Sequence, residues 1–256
     1  MPDEERQDLE EAIAAIQAKW GVHAIRRLRQ QGSVSRTATG FKALDTLLSG
    51  GLPRGRITEI AGVPTSGATT LGLRIMARAQ AREEMAVYLD LEQSFDPDYA
   101  ARCGVSLDRL ILVRPGNLHQ ALSVLEEFAA SNVSVLICDL HLRLLGSPDR
   151  AQALSASLER LLAPLSKSAT SLIYLVSLPP ATGPSPSSYP GGIALPHYAT
   201  VRLFASRQRW IYRRRDIRGC RIRIHVLKNK LGKAGARVDV NVLFNDDNGD
   251  GQGNGL

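Results

Sequence analysis

The sequence predicts an α/β protein: a mostly parallel central sheet flanked by helices, with an antiparallel hairpin near its C-terminal end. Three observations carry that expectation. Short apolar runs at 57–61, 86–90, 110–113, 133–138 and 172–177 alternate with stretches of helical periodicity. A glycine-rich turn, Gly62-Val63-Pro64-Thr65-Ser66-Gly67-Ala68-Thr69, joins the first run to a helix. Two late segments, 221–227 and 237–243, alternate polar and apolar residues around Gly232 and Gly235, as the arms of a hairpin do.

The elements follow in order. Residues 2–19 read as a helix, because Leu9, Ile13 and Ile16 share a face and Asp3, Glu4 and Glu5 sit at its positive end. Residues 1–35 are expected to form this helix and a basic arm, packed on the same domain or docked on a neighbouring subunit. The core is expected over 36–244. It opens with a short helix at 40–48 and the turn at 50–55, which feeds the first strand. Helices are expected at 118–128 and 149–162, each striped with leucine. Residues 179–196 are rich in proline and glycine and read as a long loop. A strand resumes at 201–204, and the Gly/Asp-rich tail at 245–256 is expected to be disordered.

The turn at 62–69 fits the phosphate-loop pattern G-x-x-x-x-G-K-[ST] at every fixed position but one. Backbone N–H groups and the helix N-terminus attract phosphate without any side chain. Gly62 and Gly67 keep those groups approachable, and Ser66, Thr69 and Thr70 add hydroxyls. The lysine of the pattern is Ala68. At ~4 Å and an effective dielectric of ~20, that lost charge pair is worth about 4 kcal/mol gross. If half of it acts only in the transition state, the rate loss is roughly 30-fold; if all, nearer 1000-fold. The expectation from the loop alone is a nucleotide fold that binds but turns over poorly.

Net charge is +7, concentrated between 202 and 237, where 13 basic residues face one acid, Asp216. That balance favours a polyanionic partner. Arg207, Arg209, Arg213, Arg214, Arg215 and Arg218 surround Trp210 and Tyr212, a mixture of charge and aromatic faces suited to single-stranded DNA. A solvated charged face or a subunit contact are the plainer alternatives. The three cysteines have no metal or pairing spacing, and there is no long apolar run, so a reduced, cytoplasmic protein without a membrane partner is expected.

Three stretches identify a family: 50–57 (GGLPRGRI), 88–100 (YLDLEQSFDPDYA) and 226–230 (VLKNK). With the phosphate loop, the chain from about 4 to 244 resembles the ATPase core of bacterial RecA recombinases, which implies a site for ATP with Mg²⁺, expected here to bind weakly. The resemblance implies that Glu92 activates or positions the attacking water and that Asp139 lies on the metal side with Thr69. It implies that Asp96 and Tyr99 hold adenine, and that Lys228 and Lys230 reach a neighbour's nucleotide in trans. It also implies a DNA-facing second loop, here around Pro179, Gly183, Tyr189, Gly191 and Gly192. The departures are Ala68, Ser177 where the family has a γ-phosphate sensor, a shortened stretch at 140–149, and no counterpart of the small C-terminal domain.

The functional expectation is a degenerate paralogue, a binding and assembly module in DNA repair that associates with RecA filaments or with itself. A working DNA-dependent ATPase and an adaptor of a translesion polymerase assembly are the alternatives.

Overall fold

The computed structural model describes residues 3–22, 25, 34–131, 133–141, 147–179 and 194–244. The readings of 142–146, Gly183, Tyr189, Gly191, Gly192 and the tail at 245–256 lie outside the described residues. The chain divides into two units, Met1–Val34 and Ser35–Leu256. The first contains helix α1 (Asp3–Trp20), where Leu9, Ile16 and Trp20 are exposed.

The second unit is built on an eight-stranded sheet. Two short strands, β1 (Arg36–Thr37) and β2 (Leu52–Pro53), pair beside it. The main strands are β3 (Arg56–Gly62), β4 (Ala86–Asp90), β5 (Leu110–Val113), β6 (Val135–His141), β7 (Ser171–Ser177), β8 (Val201–Arg213), β9 (Asp216–Asn229) and β10 (Arg237–Leu243). Their order is β10-β9-β8-β3-β7-β6-β4-β5. The six from β8 to β5 run parallel, whereas β9 and β10 are antiparallel. The α/β expectation is met in class, in sheet direction and in the C-terminal hairpin.

The apolar strand runs reflect burial on both faces. In β7, Ile173 and Leu175 pack into one core, while Leu172, Tyr174 and Val176 pack into the other. The first core is closed by α2 (Lys42–Leu47), α3 (Ala68–Gln80) and α4 (Pro97–Arg102), with Leu71, Leu73, Ile75 and Met76 of α3 at its centre. The second is closed by α5 (Leu118–Ala129), α6 (Pro148–Lys167) and α7 (Ala194–Tyr198). Helix α6 runs past the expected end at 162 and through Pro164, because buried Leu161 and Leu165 continue its stripe. Their burial outweighs the hydrogen bond that proline removes near the helix end.

Strand β8 departs most from expectation. Only Val201 to Phe204 pair with β3. The strand then runs on to Arg213, turns at Arg214-Arg215 and returns as β9. A two-stranded basic ribbon therefore extends beyond the parallel sheet. At its root, Arg202 donates to Glu59 of β3 at 2.6 and 3.4 Å, both residues being buried. Burial raises the Glu59 carboxyl above its usual range, and the guanidinium pulls it back. Among the described residues, no helix is long and apolar enough to cross a membrane.

Candidate functional site

The carboxyl ends of β3, β6 and β7 converge with the adjoining part of β8 on one cavity of about 330 Å³. Ligands of open parallel sheets bind at that end of the strands. Strand β3 delivers the loop from Gly62 to Gly67, and α3 starts at Ala68. A Cβ on Gly62 would collide with the Ser66 hydroxyl, and one on Gly67 with the Ile222 side chain; Gly67 is also left-handed, at φ +94°. Both glycines are thus required by the curl of the loop. The loop is internally braced: Ser66 N donates to the Val63 carbonyl at 3.0 Å, and Ala68 N donates to Ser66 Oγ at 3.4 Å.

Ala68 lines the cavity and packs against the first core with its methyl group. Thr69 is exposed at the rim, while Thr70 is buried. The Thr70 hydroxyl lies 2.6 Å from Tyr99 Oη. Burial pushes the Tyr99 hydroxyl up to about 12, so it stays protonated at neutral pH. Ser177 ends β7 directly opposite Gly62 in the β3–β7 register, and it too lines the cavity. Asp139 enters from β6, its Oδ2 accepting a hydrogen bond from Tyr88 Oη at 2.6 Å. Burial, reinforced by the Asp139 charge, drives the Tyr88 hydroxyl far above its usual range. Tyr88 is therefore a permanent donor that fixes the carboxylate.

The other expected site residues stand apart from this lining. Glu92 and Asp96 are exposed and lie in or beside the segment after β4. That segment is organised by buried Asp90, which accepts from Ser94 N at 2.9 Å, Phe95 N at 3.1 Å and Arg114 Nε at 3.2 Å. Asp96 caps α4 by accepting from Tyr99 N at 3.0 Å. Lys228 Nζ donates to the Pro196 and His197 carbonyls of α7 at 2.7 and 2.8 Å. Burial and the nearby Lys230 charge hold its pKa down. Lys230 is exposed.

The basic segment divides in two. Arg209, Tyr212, Arg213, Arg214, Arg215 and Arg218 are exposed along the ribbon. Arg207 and Trp210, expected with them as nucleic-acid contacts, also line the cavity. Arg207 Nη2 donates to Thr65 Oγ1 at 3.4 Å, and its guanidinium carbon lies 4.0 Å from the Trp210 ring centroid. Pro179 follows β7 at the surface.

Residues 7–248 match the RecA N-terminal domain family. The chain belongs to the RecA family. RecA of Herpetosiphon aurantiacus is 33% identical over 95% of this chain and 73% of that protein. RecA of Chloroflexus aurantiacus is 34% identical over 95% of this chain and 75% of its own length. For RecA of Thermus thermophilus the values are 34%, 95% and 78%.

The RecA family implies ATP with Mg²⁺, and the donor set fits both. The cavity joins a helix N-terminus and a glycine cradle that side chains would fill, and Thr69 and Asp139 line the same space. Among the described residues no cluster of three metal-ligating side chains exists. Mg²⁺ would then be held by Thr69 and Asp139 beside the phosphates, as this ion commonly is in nucleotide sites. Sequence reasoning missed Arg207, Trp210, Cys220 and Asp90 as parts of the site or its support. Cys220 lines the cavity only because β9 folds back beneath the loop, which no local pattern announces.

Proposed function

We propose that this RecA-family protein acts in DNA repair and recombination as a binding and assembly module that seats Mg-ATP weakly and hydrolyses it slowly. It associates with single-stranded DNA and with RecA-type filaments or copies of itself. The observation that carries this reading is Ala68: a methyl group packed on the core occupies the position from which the loop lysine reaches the phosphates. Ser177 supports it, because a hydroxymethyl group opposite Gly62 is too short to relay the state of the γ-phosphate to a distant loop. In this reading Glu92 positions water only inefficiently, and Lys228 and Lys230 serve the adjoining subunit.

The ribbon carrying Arg209, Tyr212, Arg213, Arg214, Arg215 and Arg218 supplies the DNA grip, through phosphate neutralisation and stacking. A polymerase partner draws no support from the relatives found. A working ATPase is the competing reading, favoured by Asp139 and Thr69 lining the same cavity. Steady-state hydrolysis, with and without single-stranded DNA, separates the two. Background turnover alongside saturable ATP and DNA binding supports the module; strong DNA-stimulated turnover supports the enzyme.

A further inference from the structure

We propose that Arg207, braced on Trp210, is the phosphate-gripping cation of this site, taking over the binding role of the lysine that Ala68 replaces. Its ligand is the polyphosphate of a nucleoside di- or triphosphate. This rests on the nucleotide reading above and adds the residue that makes binding possible.

The placement comes from a fault in β8. Arg207 pairs with Ile222, and Trp210 pairs with Cys220, so three steps on β8 match two on β9. Gln208 is the extra residue of this bulge, and its side chain donates to Ser206 O at 3.2 Å and Ser206 Oγ at 3.0 Å. In an unbroken strand, residues three apart point to opposite faces. The bulge brings Arg207 and Trp210 to the same face, where the guanidinium lies on the indole. That face belongs to Cys220, which borders the loop cavity, and to Ile222, which packs beneath Gly67.

Among the described residues lining the cavity, Arg207 is the one basic side chain. Its contact with Thr65 Oγ1 puts it against the phosphate loop itself. It is half-buried, unlike the exposed arginines farther along the ribbon. Stacking on an aromatic face holds the charge while leaving the N–H edge of the guanidinium free to meet phosphate oxygens in a fork. A cation that grips ground state and transition state alike raises affinity without raising rate. Binding can thus survive the loss of the lysine while hydrolysis does not.

The test is calorimetric titration of the full chain with Mg-ATP, Mg-bound AMP-PNP and adenosine. Arg207→Ala is expected to weaken both triphosphates about 10- to 100-fold, the worth of a charge-assisted hydrogen bond, with adenosine unchanged within about twofold. Ala68→Lys combined with Arg207→Ala is expected to recover most of that loss, because a cation is again present. Trp210→Ala is expected to weaken the triphosphates by a smaller factor, and to add nothing in the Arg207→Ala background. Unchanged melting temperatures show that the variants are folded. Native binding that Arg207→Ala leaves within about twofold overturns the proposal alone. A native chain that binds neither triphosphate nor adenosine overturns the nucleotide reading and the proposal with it.

Discussion

Arg202→Met is expected to cost about 3–5 kcal/mol of folding stability, although it lies away from the cavity lining. Glu59 and Arg202 are 0% and 4% exposed, and the shorter of the two contacts between them is 2.6 Å. Removing one partner of such a pair leaves the other charge in a medium that solvates it poorly. At about 2–4 °C per kcal/mol for a chain of this size, the melting temperature should fall by about 6–20 °C. Lys228, whose charge also reaches Glu59, tempers the loss. The pH dependence has a defined sign. Burial raises the Glu59 carboxyl in the native chain, and removal of the guanidinium raises it further. A carboxyl whose folded pKa lies above its unfolded value binds its proton more tightly when folded. The variant should therefore be least stable above the folded pKa and regain stability as pH falls toward the unfolded one. The double variant Glu59→Met with Arg202→Met should recover most of the deficit. Urea denaturation at several pH values reads all three quantities. A loss below about 1 kcal/mol, or a deficit that grows on acidification, would refute the reasoning.

Three further outcomes are expected. Tyr99→Phe removes the 2.6 Å contact with Thr70 and should cost about 1 kcal/mol in denaturant melts while keeping nucleotide affinity; Tyr99→Ala should also lose adenine affinity in a binding titration. All three thiols are buried, and burial pushes Cys103 up to about 11 and raises Cys138 and Cys220 as well. A thiol-reactive disulfide at pH 8 should label none of them quickly in the native protein and all three after unfolding. Replacing Arg213, Arg214 and Arg215 by alanine should lower the salt slope of single-stranded DNA binding by about 2, since each phosphate contact contributes roughly 0.7. An unchanged slope places the DNA elsewhere.

Much of the fold was legible because its signals are local. The buried strands are continuous apolar runs, and the glycines of the loop answer to a steric need that any reader can state. The hairpin at 221–243 shows its period-two pattern because one face of each arm is buried. The far half of β8 was not legible, since beyond Phe204 the strand loses its pairing with β3 and, from Gln208 on, most of its residues lose the burial that produces alternation. The bulge at Gln208 then shifts the register once more. Arg207 and Trp210 consequently read as members of a basic cluster, although tertiary pairing brings them to the phosphate loop. Lys228 shows the converse: its motif was plain in sequence, but its hydrogen bonds to the end of α7 depend on a helix with no local signature.

The most direct test of the central claim follows the fate of bound ATP. The native chain is saturated with γ-labelled Mg-ATP in the presence of single-stranded DNA, and phosphate release is measured beside that of Ala68→Lys. The expected result is saturable binding with release near background by the native chain, and release roughly 30- to 1000-fold faster once the lysine is restored. Release by the native chain on the order of one per second or faster, in the range of ordinary enzymes, would contradict it.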